Sequence, residues 1–228
     1  MIFNTYQVRW TRGRTRRDPP RRTDWKPTTT HQTYLKDSEA RLEDDMRRAR
    51  KEGWKFAAKL VRGAYLVLER ERAGRLEVAS PIHETFEATE LNFHRCISAV
   101  LREVAERDAA VMVASHNYAS VRHTLKEMDA LGISGADNAF SGVSFGQLLG
   151  MSDNLTYTLG EHGLDAFKYV PYGPLEEVLP YLVRRAQENS ELLSNSVKDL
   201  EAIQQELARR AAQTFSGGRV KPIAVATS

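Results

Sequence analysis

The sequence predicts an α/β fold in which parallel strands and helices alternate along the chain. Short apolar runs alternate with longer stretches whose apolar residues recur every three or four positions. The short runs are mostly apolar rather than alternating with polar residues, which is typical of parallel strands covered on both faces. This order repeats to give about five βα units, each of them a strand followed by a helix.

The strands and helices can be assigned in chain order. The opening residues IFNTYQ (2–7) are predicted to form the first strand, and the charged amphipathic stretch 34–52 its helix. Four more strands are predicted at 56–63, 109–116, 142–149 and 166–173. Further helices are predicted at 84–107, at 119–131 and from Pro174 onwards. Beyond residue 195 we expect one more helix and a disordered end.

Two architectures fit this order of strands and helices. Sequential parallel strands with right-handed crossovers form either an open doubly wound sheet or part of a (β/α)8 barrel. Periodicity does not choose between them. Both place their sites at the carboxyl edge of the sheet, and polar or glycine-containing segments follow the predicted strands at RGAY, SHN, GQLLG and VPYG.

A basic segment separates the first predicted strand from the first predicted helix. Residues 8–32 contain eight Lys or Arg and two Asp, a net charge of +6, whereas the remaining 203 residues contain 25 basic and 28 acidic side chains. Arg, Pro and Trp follow no structural period in the segment, so we expect it to be disordered. A protein that binds duplex nucleic acid should spread its basic residues over one face of the folded body. The composition therefore argues against nucleic acid as a partner.

Several other classes of site are excluded by the residues present. The single cysteine, Cys96, lies among apolar residues of a helical stretch and is expected to be a buried thiol. No window approaches the roughly 18–20 apolar residues of a membrane span. The sequence has no GxGxxG, GxxxxGK[ST], HExxH or CxxC pattern, so the ordinary dinucleotide, P-loop and zinc signatures are missing.

The stretch YLVRRAQEN carries a candidate site for an anion. Tyr181, Arg184, Arg185 and Glu188 fall at i, i+3, i+4 and i+7 and share one helix face. Two guanidinium groups offer bidentate hydrogen bonds to a carboxylate, with the glutamate one turn further on to orient them. The alternative interpretation is a solvated helix face with an Arg–Glu pair.

Three further residues near strand ends are candidates, each with a structural alternative. Lys59, inside an apolar strand, either points into a site or extends its amine to solvent. Gly63 permits close approach of a ligand to the backbone, or serves a turn. His116 is a hydrogen-bond partner or general base, or a histidine satisfied by the core. From the residues alone, the sequence predicts an α/β protein that binds a small anionic ligand.

These segments resemble proline dehydrogenase, the flavin-dependent enzyme of proline catabolism. The similarity runs in order through the divided NTYQ and YLKD, then KLVRGAYL, VMVASHN, FGQLLGM and KYVPYGPLEEVLPYLVRRAQEN, covering about residues 2–7 and 33–193. The resemblance implies that this chain is the C-terminal portion of a (β/α)8 TIM-like barrel. It implies FAD as cofactor, with no need for a metal, and oxidation of L-proline to Δ1-pyrroline-5-carboxylate by hydride transfer to FAD.

The resemblance also implies roles for individual residues. The catalytic set would be Lys59, Tyr169, Tyr181, Arg184 and Arg185. Of these, Arg184 and Arg185 would hold the proline carboxylate, with Glu188 orienting them. Tyr169 and Tyr181 would wall the substrate ring and Leu148 would pack against it. The residues in contact with FAD would be Asn4, Lys59, Val61, Gly63, Ala64 and His116.

Substrate, partners and location follow from the same resemblance. Hydroxyproline-oxidising relatives tend to carry a smaller residue at the place of Tyr169, so proline is the expected substrate and hydroxyproline dehydrogenase is the alternative within the family. Electrons would pass to a membrane quinone. The protein is expected in mitochondria, in peripheral contact with the matrix side of the inner membrane, with its targeting sequence absent from this chain.

The resemblance divides the chain into residues 1–7 as a barrel strand, 8–32 as an insertion, 33–194 as a partial barrel and 195–228 as a helix and disordered tail. The family barrel has eight strands and this chain begins at the fourth, so we expect a truncated form that is inactive or unstable alone. NTYQ continues almost directly into YLKD in the family. Since the Val8 codon begins GT and a Gln32 codon can end AG, residues 8–32 are hypothesised to be an in-frame intron read as coding sequence. The alternative function is a non-catalytic binding module whose basic arm binds an acidic surface.

Overall fold

The computed structural model describes residues 5–10, 29–63, 65–107, 109–134, 141–188, 200 and 203–211, and of 5–10 and 186–188 it describes the backbone only. The chain divides into two compact units, Met1–Pro171 and Tyr172–Ser228. Among these described residues, no helix combines the length and apolar character needed to cross a membrane.

The first unit contains a six-stranded sheet with the strand order β1-β6-β5-β4-β3-β2. Its strands are β1 (Thr5–Trp10), β2 (Thr29–Gln32), β3 (Ala57–Val61), β4 (Ala110–Ala114), β5 (Val143–Leu148) and β6 (Asp165–Pro171). Strands β2 to β6 are parallel to their neighbours, and β1 pairs antiparallel with β6. The five parallel strands confirm the α/β prediction.

Helices connect the strands, and several of them pack against one face of the sheet. They are α1 (Ser38–Glu52), α2 (Leu66–Arg75), α3 (Phe86–Glu106), α4 (Tyr118–Ala130) and α5 (Asp153–Glu161). The prediction assigned neither α2 nor α5. In α2 this is because its apolar residues are adjacent rather than spaced by three or four, and Val67 and Leu68 are exposed.

Side chains at the ends of the connections fix where two helices begin. The Thr85 hydroxyl accepts a hydrogen bond from the Ala88 amide at the start of α3, and the Asn117 side chain accepts one from the Ser120 amide at the start of α4. Each satisfies a backbone donor that the first helical turn leaves unpaired. Asn117 directly follows His116, so this cap also fixes the chain where β4 ends.

The core lies between the sheet and the helices. Leu60, Val113 and Phe145 from the strands are fully buried with Phe93 and Ile97 from α3. Cys96 belongs to this core, and burial raises the pKa of its thiol to about 12. The thiol is therefore protonated at neutral pH, in keeping with the expectation of a buried cysteine.

The opposite face of the sheet is only half-buried, contrary to the expectation of strands covered on both faces. Along β3, Ala58 and Leu60 are buried while Lys59 and Val61 are partly exposed, and the same alternation recurs in β4, β5 and β6. We call this second side the inner face. Its residues are Lys59, Val61, Met112, Ala114, Gly146, Leu148, Phe167 and Tyr169.

Residues 5–7 of the predicted first strand lie in a strand, but this strand is antiparallel to its neighbour, so the prediction of a parallel strand is wrong there; residues 2–4 lie outside the described residues. The strand beside β3 is Thr29–Gln32, and residues 5–10 form β1 at the other edge of the sheet. The reason is continuity of the chain. The amides of Thr33 and Tyr34 donate to the carbonyl oxygens of Val61 and Arg62 at 2.9 and 2.7 Å, so the residues immediately before them must lie along β3.

The basic segment 8–32 forms strand at both of its ends, where the expectation was disorder. Residues 8–10 belong to β1 and residues 29–32 to β2. Residues 11–28 lie outside the described residues, and the intron hypothesis stays a prediction. In the predicted tail, residues 203–211 are helical, and residues 212–228 are outside the description.

Candidate active site

The inner face brings Lys59 and Tyr169 together, although they lie on strands that are not neighbours. The Lys59 amine lies 5.4 Å from the centroid of the Tyr169 ring. Three strand spacings of about 4.8 Å separate β3 from β6, so the contact between these side chains indicates that the inner face is concave. A curved parallel sheet of this kind is what a barrel wall requires.

Lys59 has an environment that disfavours its charge. Burial lowers the pKa of the Lys59 amine, and among the described residues no carboxylate lies within ion-pair distance of it. A half-buried cation beside an aromatic ring, with no such counter-ion, is well placed to stabilise a negative charge on a bound molecule. The Lys59 side chain therefore lies over the inner face, and its role in a site stays a prediction.

Leu148 and Val61 complete an apolar wall on the same face. Leu148 pairs with Tyr169 in the β5–β6 register, so their side chains are neighbours. Sequence reasoning missed Met112, Ala114, Gly146 and Phe167, which also lie on the inner face. The available signal was the two-residue period within each strand, which puts alternate residues on the same face as Lys59 or Tyr169.

His116 is engaged by the backbone rather than poised as a base. Its Nε2 accepts a hydrogen bond from the Leu148 amide at 3.0 Å. Burial, assisted by the charge of Lys168, lowers the pKa of His116 to about 4. The imidazole is therefore neutral near pH 7, with its proton on Nδ1, and that N–H is the group that can donate to a ligand.

The lowered pKa of His116 predicts a loss of stability in mild acid. The unfolded chain binds the proton with a pKa near 6.5 and the folded chain with one of about 4, so stability falls as the pH drops through this window. The loss by pH 4 is about 3 kcal/mol. Urea unfolding of wild type and His116→Gln, measured between pH 7 and pH 4, should show the difference between the two proteins shift by this amount in favour of the variant. Equal losses in both proteins would contradict the prediction.

Packing against Tyr34 is sufficient to explain why residue 63 is a glycine, without a ligand. A Cβ built at this position would lie 1.6 Å from Cδ1 of Tyr34, whose side chain is 2% exposed. Glycine is therefore required so that the Tyr34 ring can cover the end of β3. Asn4 and Ala64, also predicted to contact FAD, lie outside the described residues.

The second unit contains the predicted anion-binding helix, α6 (Leu175–Glu188). Amides of Glu177 and Val178 donate to the carbonyl oxygen of Pro174 where the helix begins. The Arg185 guanidinium lies 5.4 Å from the centroid of the Tyr181 ring, as their i, i+4 spacing allows. Arg184 lies beside them in sequence and is half-buried, whereas the side chain of Glu188 is outside the description.

Two buried polar residues lie near the carboxyl ends of β5 and β6, and the sequence analysis did not identify them. Lys168 is 2% exposed and Gln147 is 1% exposed. The Gln147 amide donates to the Ser115 carbonyl and accepts from the Thr156 hydroxyl, so it ties β4 and β5 to α5. Polar side chains inside otherwise apolar strands were the available signal. In the part of the chain that the structure describes, no group of three or more His, Cys, Asp or Glu side chains could hold a metal ion.

Comparisons with known proteins agree on one family. The family model for proline dehydrogenase matches residues 14–198. Human mitochondrial proline dehydrogenase 1 is 50% identical over 182 residues, covering 79% of this chain and 30% of the human protein. Bovine hydroxyproline dehydrogenase is 46% identical over 183 residues, covering 79% of this chain and 39% of the bovine protein.

Solved structures show the same relationship. Proline utilization A from Bdellovibrio bacteriovorus, inactivated by N-propargylglycine, aligns with a TM-score of 0.64 and 27% identity over 70% of this chain and 16% of that protein. A variant of proline utilization A from Bradyrhizobium japonicum aligns with a TM-score of 0.61 and 30% identity, over 71% and 16%. The likeness supports the barrel-like architecture. The chain spans less than half the length of the curated relatives above, and it belongs to the proline dehydrogenase family.

Proposed function

We propose that this chain takes part in the dehydrogenation of L-proline to Δ1-pyrroline-5-carboxylate, a step of proline catabolism. The observation that carries the proposal is the concave inner face, where the Lys59 amine faces the Tyr169 ring beside Leu148. A small ring would pack against the leucine and tyrosine, while the lysine supplies positive charge next to it. Membership of the proline dehydrogenase family supports the substrate class.

The residues of the inner face fit a flavin. Val61, Ala114 and Gly146 form a surface of small side chains that a flat aromatic ring can approach, and a Cβ at Gly146 would already contact the Met112 sulfur at 3.4 Å. Lys59 offers a cation beside that surface, and the Nδ1–H of His116 offers a donor at its edge. Bound FAD would supply the acceptor for a hydride from the ring carbon next to the proline nitrogen.

The remaining roles belong to substrate binding. Arg184 and Arg185 would bind the proline carboxylate bidentately and Glu188 would orient them, while Tyr181 walls the ring. Clamping the carboxylate fixes the reacting carbon in one position, which lowers the entropic cost of the reaction. The desolvated Lys59 would stabilise the negative charge that the hydride acceptor, FAD, would gain.

Proline rather than hydroxyproline is the proposed substrate. Relatives with either activity in their names match this chain to a similar degree, at 50% and 46% identity, so identity does not decide between them. Tyr169 pairs with Leu148 on the inner face, and on a substrate ring packed there it would occupy the space that a ring hydroxyl needs. Tyr169→Ser should therefore increase the turnover of hydroxyproline relative to proline.

A quinone acceptor and contact with the inner mitochondrial membrane belong to the same proposal. The names of the human and bovine proline dehydrogenase relatives place those proteins in mitochondria. Exposed apolar side chains on and just after α2, Val67, Leu68, Leu76 and Val78, offer a surface compatible with membrane contact. Sedimentation of the protein with anionic vesicles, compared with Leu68→Glu, tests this part.

The central experiment is reduction of the bound flavin by proline. The purified protein is loaded with FAD, and L-proline is added without oxygen. The proposed function predicts that the flavin absorbance bleaches in wild type, whereas the expected truncation predicts no bleaching by this chain alone. Arg185→Met should keep its flavin but lose about 100-fold or more in kcat/KM, because a charged partner of the carboxylate is gone. Arg95→Met, which alters an exposed arginine of α3, is the matched control and should behave as wild type.

Each outcome of this experiment bears on one part of the proposal. Flavin that binds but is not reduced by proline would contradict the substrate. Failure of the folded protein to retain flavin would contradict the cofactor for this chain. An equal loss of activity in Arg95→Met would contradict an effect of Arg185→Met that is specific to the carboxylate.

A further inference from the structure

Lys168 is a buried lysine to which the proposed reaction gives no role. It lies in β6 directly before Tyr169 and its side chain is 2% exposed. Because successive side chains of a strand point to opposite faces, Lys168 lies on the helix side while Tyr169 lies on the inner face. A lysine is almost never buried this fully unless its charge is paired.

All three donors of the Lys168 ammonium have acceptors in one loop. Nζ lies 2.7 Å from the Asp153 carboxylate, 2.6 Å from the carbonyl oxygen of Met151 and 3.3 Å from that of Leu148. An ammonium group has three N–H donors, so none is left over. The three acceptors span the connection between β5 and α5, and Lys168 therefore closes this loop against β6.

The loop begins at the residue proposed to contact the substrate ring. The Leu148 carbonyl accepts from Lys168, while the Leu148 amide donates to His116 Nε2 at 3.0 Å. Both backbone polar groups of Leu148 are thus held by side chains, one from His116 just after β4 and one from Lys168 in β6. The next amide, that of Leu149, donates to the carbonyl oxygen of Tyr169 at 3.0 Å, which links the loop to the other wall of the pocket.

The loop also contains a conformation that needs support. Ser152 has a φ of +49°, in the left-handed region that non-glycine residues rarely adopt. Such a residue persists only where its surroundings fix it.

Asp153 is 48% exposed, so its ion pair with Lys168 adds little to stability by itself. The clearer effect of the lysine is to fix the path of the loop through the two carbonyl groups.

We propose that Lys168 is a positioning residue for the substrate pocket: by binding the β5–α5 loop it holds Leu148 against the substrate ring, next to Tyr169. This inference rests on the proposed function. Lys168 does not touch substrate or cofactor, and acts through the backbone of Leu148. Its loss should weaken the packing of the proline ring in the ground state and the transition state alike, which raises KM and leaves kcat nearly unchanged.

The test combines steady-state kinetics with amide hydrogen exchange. In the FAD-loaded protein, Lys168→Met should raise the KM for L-proline about tenfold, the effect of one misplaced apolar contact, with kcat within about threefold of wild type. In the protein without substrate, the amides of Leu149 and Met151 should exchange at least about tenfold faster than in wild type. Asp153→Asn leaves both carbonyl contacts in place and should change KM less than Lys168→Met.

The control is a second buried ionic contact far from the pocket. Glu103 is 6% exposed and lies 3.5 Å from both Arg50 and Arg107, where α3 ends before β4 begins, at the opposite edge of the sheet. Glu103→Gln should destabilise the protein without altering KM or the exchange of the Leu149 amide. An equal rise of KM in Glu103→Gln would overturn the inference, because the effect would then be a general loss of stability.

The inference and the proposed function fail in different ways. Normal turnover of proline by wild type, with unchanged KM and unchanged exchange in Lys168→Met, would overturn the positioning role alone. A folded, flavin-loaded wild type that does not oxidise proline would overturn the proposed function and with it the role of Lys168 towards substrate.

Discussion

Replacing Leu60 by alanine should lower the free energy of unfolding by about 4 kcal/mol, because the side chain is fully buried between the sheet and the helices. Leu60 lies between Lys59 and Val61 in β3 and points to the opposite side of the sheet. Its loss leaves a cavity that the neighbouring Phe93 and Ile97, themselves fully buried, can fill only in part. Urea denaturation followed by circular dichroism measures the change.

The same substitution at an exposed leucine provides the control. Leu68 in α2 is 54% exposed, and alanine is the best helix former, so Leu68→Ala should change stability by less than about 0.5 kcal/mol. Similar losses at the two positions would show that the helix side of β3 is not the core of this protein. A large loss at Leu60 would show that the helix side of β3 contributes to the core, whereas its other side carries the candidate site.

Replacing Gly63 by alanine should cost about 3 kcal/mol or more. The new methyl carbon would lie 1.6 Å from Cδ1 of Tyr34, far inside contact distance, and the Tyr34 side chain is 2% exposed and has little room to move. Either the ring leaves its site or the end of β3 shifts. The measurement is the midpoint of urea unfolding, together with flavin retention, since β3 carries Lys59 and Val61.

Two controls separate this clash from a general intolerance of alanine. Gly74 lies in α2, and a methyl carbon added there would have no neighbouring atom within 4 Å, so Gly74→Ala should be neutral or stabilise the helix by up to about 1 kcal/mol. In a Tyr34→Ala background the ring is absent, and Gly63→Ala should cost much less than in wild type. A full additive loss in the double variant would contradict the clash.

Three residues of the candidate site named from the sequence share the inner face in the structure, and this has a physical reason. Lys59, Leu148 and Tyr169 occur where apolar strands approach their carboxyl ends, and parallel strands bring those ends to one edge. That they share the inner face follows from the two-residue period within each strand. The contact between Lys59 and Tyr169 depends on how the sheet curves across strands that are not adjacent. No local sequence pattern predicts this curvature.

For other residues, the structure shows contacts that the sequence could not predict. The sequence left Gly63 open between a turn and a ligand contact, whereas its neighbour is the buried Tyr34 ring, 29 positions earlier in the chain. His116 was a possible base, but its Nε2 is bound to the amide of Leu148. No local pattern identifies Lys168, because one lysine in an apolar strand carries no sign of its partners, which lie in and beside the loop before the preceding helix.

By itself the sequence determined the alternation of strands and helices, the family, and the segments in which the site residues lie, because these depend on local periodicity and on motifs read in order. Only the tertiary structure decided which strand lies beside β3, which face of the sheet stays half-open, and what Gly63, His116 and Lys168 contact. These features depend on contacts between residues that are distant in the chain, and such contacts are set by how the whole sheet curves and packs rather than by any one segment.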